Sequence, residues 1–81
     1  MLHLHPVAST SIDVVAYEDE TEVLYLRFRD SKALYAYDGV PGDVVEELLA
    51  FESKANYVNE MIKPRFKARR VQKLPNSRHA S

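Results

Sequence analysis

The sequence predicts a small α+β domain: a three-stranded antiparallel meander covered on one face by two C-terminal helices, in the order β-β-β-α-α. Three observations predict it. Residues 11–38 hold three runs of strand-forming residues separated by polar turns. The links are too short for crossover connections, so neighbouring strands run antiparallel. After Val40-Pro41 the apolar spacing changes from that of a pleated strand to that of a helix.

The first strand is "SIDVVAYE", Ser11 to Glu18, where the break in alternation at Val14-Val15 marks a bulge. "EDET" turns the chain. "TEVLYLRFR", Thr21 to Arg29, alternates most cleanly: Leu24, Leu26 and Phe28 face the core, while Tyr25, Arg27 and Arg29 face water. Asp30 and Ser31 supply turn chemistry before the third strand, Ala33 to Asp38. Pro41 fits a first helical turn, and Asp43 with Glu46 three residues on resembles a capping box. Val44, Val45, Leu48 and Leu49 form the apolar stripe of the first helix. Ser53 caps a second helix, "KANYVNEMI", which Pro64 ends. The expected organisation is a flexible lead-in over residues 1–8, a folded domain over residues 9–67, and a basic, disordered tail over residues 68–81.

Charge divides the chain more sharply than its net value of -1 suggests. Twelve acidic and four basic residues precede Lys63, a net of -8; Lys63, Arg65, Lys67, Arg69, Arg70, Lys73 and Arg78 then give +7. Such a split points to a basic arm for nucleic acid or another polyanion, or to a tail folded back on an acidic body. The 81 residues contain no cysteine, so neither disulfides nor thiolate chemistry enters. No apolar run reaches a membrane span, and no signal-peptide pattern opens the chain, so the expected location is cytoplasmic.

Catalytic signatures are missing. There is no glycine-rich phosphate loop and no GxSxG. The three histidines, His3, His5 and His79, lie near the termini. His3 and His5 share one side of an extended chain, but no cysteine is present and Asp13 is the nearest carboxylate, so neither metal nor cofactor is expected. The expectation is that the chain is not an enzyme.

Tyr35 and Tyr37 share a face of the third strand. Turned toward the helices they fill the core, which buried aromatic area favours. Turned outward they join Tyr25, Arg27 and Arg29 in a surface suited to stacking bases. Lys54 and Asn56, at the start of the second helix, offer an anion contact, as do Lys63, Arg65, Arg69 and Arg70.

Ser9 and Ile12, Ala16-Tyr17-Glu18, Leu24, Leu26 and Phe28, the Tyr35/Tyr37 pair, Val40-Pro41, Leu48-Leu49, Ser53-Lys54-Ala55, Tyr57-Val58-Asn59, Ile62 and Arg65-Phe66 follow one another in an order and spacing that resembles the KTSC domain. That small module is named for the C-terminal region of some lysyl-tRNA synthetases. Ala16 and Ala55 stand where the family usually has glycine, Val58 where it has an aromatic, and Phe66 where it has tyrosine. The resemblance implies a lone small bacterial or phage protein, or a synthetase appendage, with Tyr35 and Tyr37 as inward-facing motif residues. Its context suggests nucleic-acid binding, RNA favoured over DNA. The expected function is therefore a small non-catalytic accessory module for RNA or another nucleic acid. The alternative is a protein-interaction or self-associating module that uses the acidic body and basic tail. The sequence does not fix the oligomeric state.

Overall fold

A computed structural model describes residues 1–7 and 9–75. The chain forms β1 (Leu2–His5), β2 (Ile12–Glu18), β3 (Val23–Phe28) and β4 (Leu34–Tyr37), then α1 (Gly42–Ala50) and α2 (Lys54–Tyr57), and returns as β5 (Ala68–Val71). All five strands make one antiparallel sheet in the order β1-β2-β3-β4-β5.

This corrects the expected three-stranded meander. The two added strands come from the segments read as lead-in and tail. β1 carries only two leucines, yet it pairs from Leu2↔Glu18 to His5↔Val15. β5 reads "ARRV", with no apolar alternation, and pairs from Leu34↔Val71 to Tyr37↔Ala68. A strand at a sheet edge needs little apolar pattern of its own, because its backbone groups are satisfied by the neighbour it covers. Arg69 adds a fork: its Nε and Nη2 both donate to the Asp38 carboxylate, each at 3.0 Å. The part of the expected disordered tail from residue 76 onward, including Arg78 and His79, lies outside the described residues, as does Ala8.

The helix side of the sheet holds the main core. Ile12, Val15, Tyr17, Leu24, Leu26 and Tyr37 meet Val45, Leu48, Tyr57, Val58 and Ile62 from the helical layer. Register puts Leu24 opposite Tyr37 and Leu26 opposite Tyr35, so both tyrosines point to this side. The bulge expected at Val14-Val15 falls instead between Ile12 and Val14, which lets Ile12 and Val15 both face the helices. Buried Tyr17 donates its hydroxyl to the Val40 carbonyl at 2.6 Å, and the Val40 N–H donates to the Glu22 carbonyl at 2.8 Å. Those two bonds pin the segment entering α1 to the β2–β3 hairpin, and Gly39 makes the preceding turn with φ 71°.

The helical layer departs from expectation at both ends. Pro41 sits just before α1 as its N-cap, and Asp43 accepts from the Val44 N–H at 3.1 Å rather than completing a capping box. The second helix starts on Ser53, whose hydroxyl accepts from the Asn56 N–H at 3.4 Å. It then widens into a π-helical turn over Val58–Ile62, closed by the Lys63 N–H on the Val58 carbonyl at 2.8 Å. Pro64 has no N–H to continue an α-helical ladder, which accounts for the wider turn at its N-terminal side.

The opposite side of the sheet is also packed. Ala16, Val23, Tyr25, Leu34 and Ala36 form a second apolar cluster against Leu2, Val71 and Leu74. Tyr25 is only 8% exposed and Ala36 not at all. Leu34 and Ala36, on the face away from the tyrosine pair, are buried as well, because the Leu2, Val71 and Leu74 side chains pack against this cluster. Neither Ala16 nor Ala55 needs the backbone freedom of glycine, since the non-glycine residues with positive φ are Glu22 and Lys32 among the described residues.

Candidate functional site

A groove of aromatic and cationic side chains lies where the helical layer stops short of the β5 edge. Phe28, Ser31, Tyr35 and Tyr37 form its floor, and residues 63–68 form its wall. The volume is about 570 Å³ and the groove is open to solvent. Phe28 and Tyr35 meet edge to face, with ring centroids 5.8 Å apart. The Lys63 ammonium stands 5.3 Å from the Phe28 ring centre, and the Arg65 guanidinium 5.8 Å from that of Phe66. A cation over a ring face is held there electrostatically, so these side chains line the groove rather than trail into solvent. Lys67 is the third cation of the wall, and among the described residues no carboxylate lines the groove.

The sequence-predicted binding residues do not form one site. Lys63 and Arg65 come together with Tyr35 and Tyr37 in the groove. The Tyr25/Arg27/Arg29 stripe breaks up on the other face. Tyr25 is buried in the second cluster. Arg27 forks onto Asp13 at 3.0 and 3.2 Å, and Arg29 donates to the Ser9 carbonyl at 2.9 Å. Arg69 is engaged by Asp38. Lys54 donates to the Phe51 carbonyl at 2.6 Å beside Asn56, near a separate hollow where Ser9 meets Ser53, Lys54 and Ala55. Arg70 stands opposite Tyr35 in the register and lines a second cavity. Sequence reasoning missed Phe28, Phe66 and Lys67 as parts of the site. Their signal was visible only as core pattern and tail charge, because β5 was not foreseen.

The shifted titrations have structural causes. The Arg27 guanidinium holds the Asp13 carboxyl below its usual range, and that of Arg69 does the same for Asp38. Burial, and then the hydrogen bond to the Glu47 carboxylate at 2.6 Å, push the Tyr57 phenol up to about 12. Burial also raises Tyr17 and Tyr37. Among the described residues no group of three or more His, Cys, Asp or Glu is placed to hold a metal, and no helix is long and apolar enough to cross a membrane.

Comparison with known proteins fits this architecture. A protein of Tsukamurella paurometabola is 42% identical over 65 residues, covering 80% of this chain and 96% of its own length. An uncharacterized protein of Stutzerimonas stutzeri is 38% identical over 56 residues, covering 69% of this chain and 78% of its own. The crystal structure of a KTSC domain protein from Yersinia pestis superposes with a TM-score of 0.81 at 26% identity, covering 89% of this chain and all of that one. The sequence model of the KTSC domain matches residues 8–66, from just before the Ser9 motif to the Phe66 ring that walls the groove, and the chain belongs to the KTSC domain family.

Proposed function

We propose that this KTSC protein is a non-catalytic accessory module that binds single-stranded nucleic acid in the Tyr35 groove. The observation that carries the reading is the composition of the groove: Phe28, Tyr35 and Phe66 rings beside Lys63, Arg65 and Lys67, with the chain's carboxylates elsewhere. Single strands are bound without sequence preference by a cationic track with aromatic platforms, and each stacked base contributes about 1–3 kcal/mol. The acidic body, with its net charge of -8 before Lys63, repels a polyanion everywhere except along such a track. The shifted Tyr17 and Tyr57 phenols and the Asp13 and Asp38 carboxylates are engaged in structural bonds, which favours binding over catalysis. Stacking and phosphate contacts serve RNA and DNA alike, so both strands belong in the test.

The experiment is fluorescence anisotropy with labelled single-stranded RNA and DNA of about 10 nucleotides, within the span of about 4–16 nucleotides that OB-fold single-strand binders occupy, across a salt series. Wild-type protein should bind with a log-log salt slope of about -0.7 per neutralised phosphate. A Lys63→Ala/Arg65→Ala variant should lose about 1.4 of that slope, while Lys54→Ala should not change it. A wild-type protein that binds neither strand at low salt overturns the reading.

A second reading, self-association, is favoured by β1. This edge strand carries no Lys or Arg and leaves Leu4 66% exposed, whereas guarded edges usually carry charge. Molecular mass measured against concentration, for wild type and Leu4→Lys, tests it. A monomer at every concentration removes it. Pairing of acidic body with basic tail between copies is weakened by the pairing made within the chain, Arg69 with Asp38.

A further inference from the structure

A second cavity of about 370 Å³ lies on the other side of the β4–β5 ladder, lined by Arg27, Lys32, Leu34, Arg70, Gln72 and Lys73 among others. Two pairs of residues join it to the Tyr35 groove. Ser31 lines the groove and Lys32, the next residue, lines the cavity. Tyr35 lines the groove, and its register partner Arg70 lines the cavity. Opposed residues in an antiparallel ladder send their side chains to the same face, so Arg70 projects on the Tyr35 side of the sheet and stands at the rim between the two hollows.

The cavity is cationic. Arg27 is neutralised by Asp13, but Lys32, Arg70 and Lys73 form no ion pair with a carboxylate among the described residues. Lys63, Arg65 and Lys67 on one side therefore continue through Arg70 at the rim into Lys32 and Lys73 on the other. The aromatic character does not continue, since no aromatic residue lines the second cavity among the described residues. That is the division expected where bases stack in one place and the backbone runs on past it.

We infer that a strand bound in the Tyr35 groove turns round the Ser31/Arg70 end of the β4–β5 ladder and sets its next phosphates in this second cavity, so that the ligand class is an oligonucleotide rather than a mononucleotide. The inference rests on the nucleic-acid reading of the groove and adds a site that the groove alone does not require. Stacking fixes the first bases, and the second cavity contributes only sequence-independent phosphate contacts. Affinity should then depend on length and, beyond the stacked bases, hardly on sequence.

The test is a length series, from a ribonucleoside monophosphate through di- and trinucleotides to a hexanucleotide, with deoxy counterparts. It compares wild type with Lys32→Ala/Lys73→Ala and with Lys63→Ala/Arg65→Ala. All four lysine and arginine side chains are exposed, and amide spectra confirm that each variant is folded. In the wild type, affinity should rise with each added nucleotide. In Lys32→Ala/Lys73→Ala the rise should stop after the shortest oligomers, and the hexanucleotide salt slope should fall by about 1.4, about 0.7 per lost phosphate contact. Monophosphate binding should be unchanged in that variant. If the hexanucleotide is weakened by Lys63→Ala/Arg65→Ala but not by Lys32→Ala/Lys73→Ala, the second cavity is not part of the site and the groove reading stands. If no oligomer binds the wild type, both readings fall together.

Discussion

Replacing Tyr17 by phenylalanine removes one oxygen from a buried side chain and breaks its 2.6 Å hydrogen bond to the Val40 carbonyl. Val40 is fully buried, so its carbonyl then has no access to water. A buried acceptor left unpaired costs about 1–3 kcal/mol. For a domain of this size about 4–8 °C of melting temperature goes with each kcal/mol, so the melt should fall by roughly 4–24 °C. Tyr37→Phe is the matched comparison. Tyr37 is 2% exposed and packs in the same core, but its hydroxyl makes no hydrogen bond among the described residues and borders the open groove. Its loss should change stability by less than about 0.5 kcal/mol. The assay is urea unfolding followed by far-ultraviolet circular dichroism, with equal m-values as the check that both variants unfold from the same compact state. Equal costs for the two substitutions would refute the claim that the hairpin–helix connection is held by this bond.

Three further outcomes follow from the same geometry. A chain ending at Lys67 loses β5 and Leu74, uncovering Tyr25, Leu34 and Ala36; it should lose more than about 3 kcal/mol, since each large apolar side chain buried contributes about 1.5–3 kcal/mol. A Lys67 truncation that melts with the full-length protein removes β5 from the cooperative fold. The Tyr57 phenol, raised from 10.0 to about 12, contributes stability that is complete below pH 10 and lost as pH rises toward 12. Alkaline unfolding should therefore steepen across that window, and Tyr57→Phe should flatten it. Glu22 occupies the left-handed region at φ 57° in the β2–β3 turn, so Glu22→Gly should stabilise the protein by about 0.5–1 kcal/mol in thermal melts.

Legibility in this sequence follows the apolar period. β3 was readable because Leu24, Leu26 and Phe28 alternate with polar neighbours, and α1 because Val44, Val45, Leu48 and Leu49 repeat at helical spacing. β5 was not, because "ARRV" is an edge strand whose inward contribution is largely backbone. Its charge pattern, which marked it as tail, is what an edge needs to resist pairing with other chains. The same blindness hid the second cluster. Ala16 and Ala36 are too small to announce a buried face, and Tyr25 sits beside Arg27 as though both were wet. For the site, Lys63 and Arg65 were legible as charge, and Tyr35 and Tyr37 as a pair. That they meet required knowing how far the sheet extends beyond its helices.

That extension explains why there is a groove at all. Strands lie about 4.8 Å apart, so five of them make a platform roughly 20 Å wide. A helix with its side chains covers about 10 Å. α1 has nine residues and α2 only four before the π-helical turn, too little to roof the sheet from edge to edge. The roof sits over Val15, Leu24, Leu26 and Tyr37, and β5 carries the platform past it. The chain descending from Ile62 to Ala68 must cross that uncovered flank to reach the edge, and it brings Lys63, Arg65 and Lys67 with it. The aromatic floor belongs to β3 and β4, and the segment that leads into the fifth strand supplies the wall, placing the Tyr35 ring between a packed core and a row of cations.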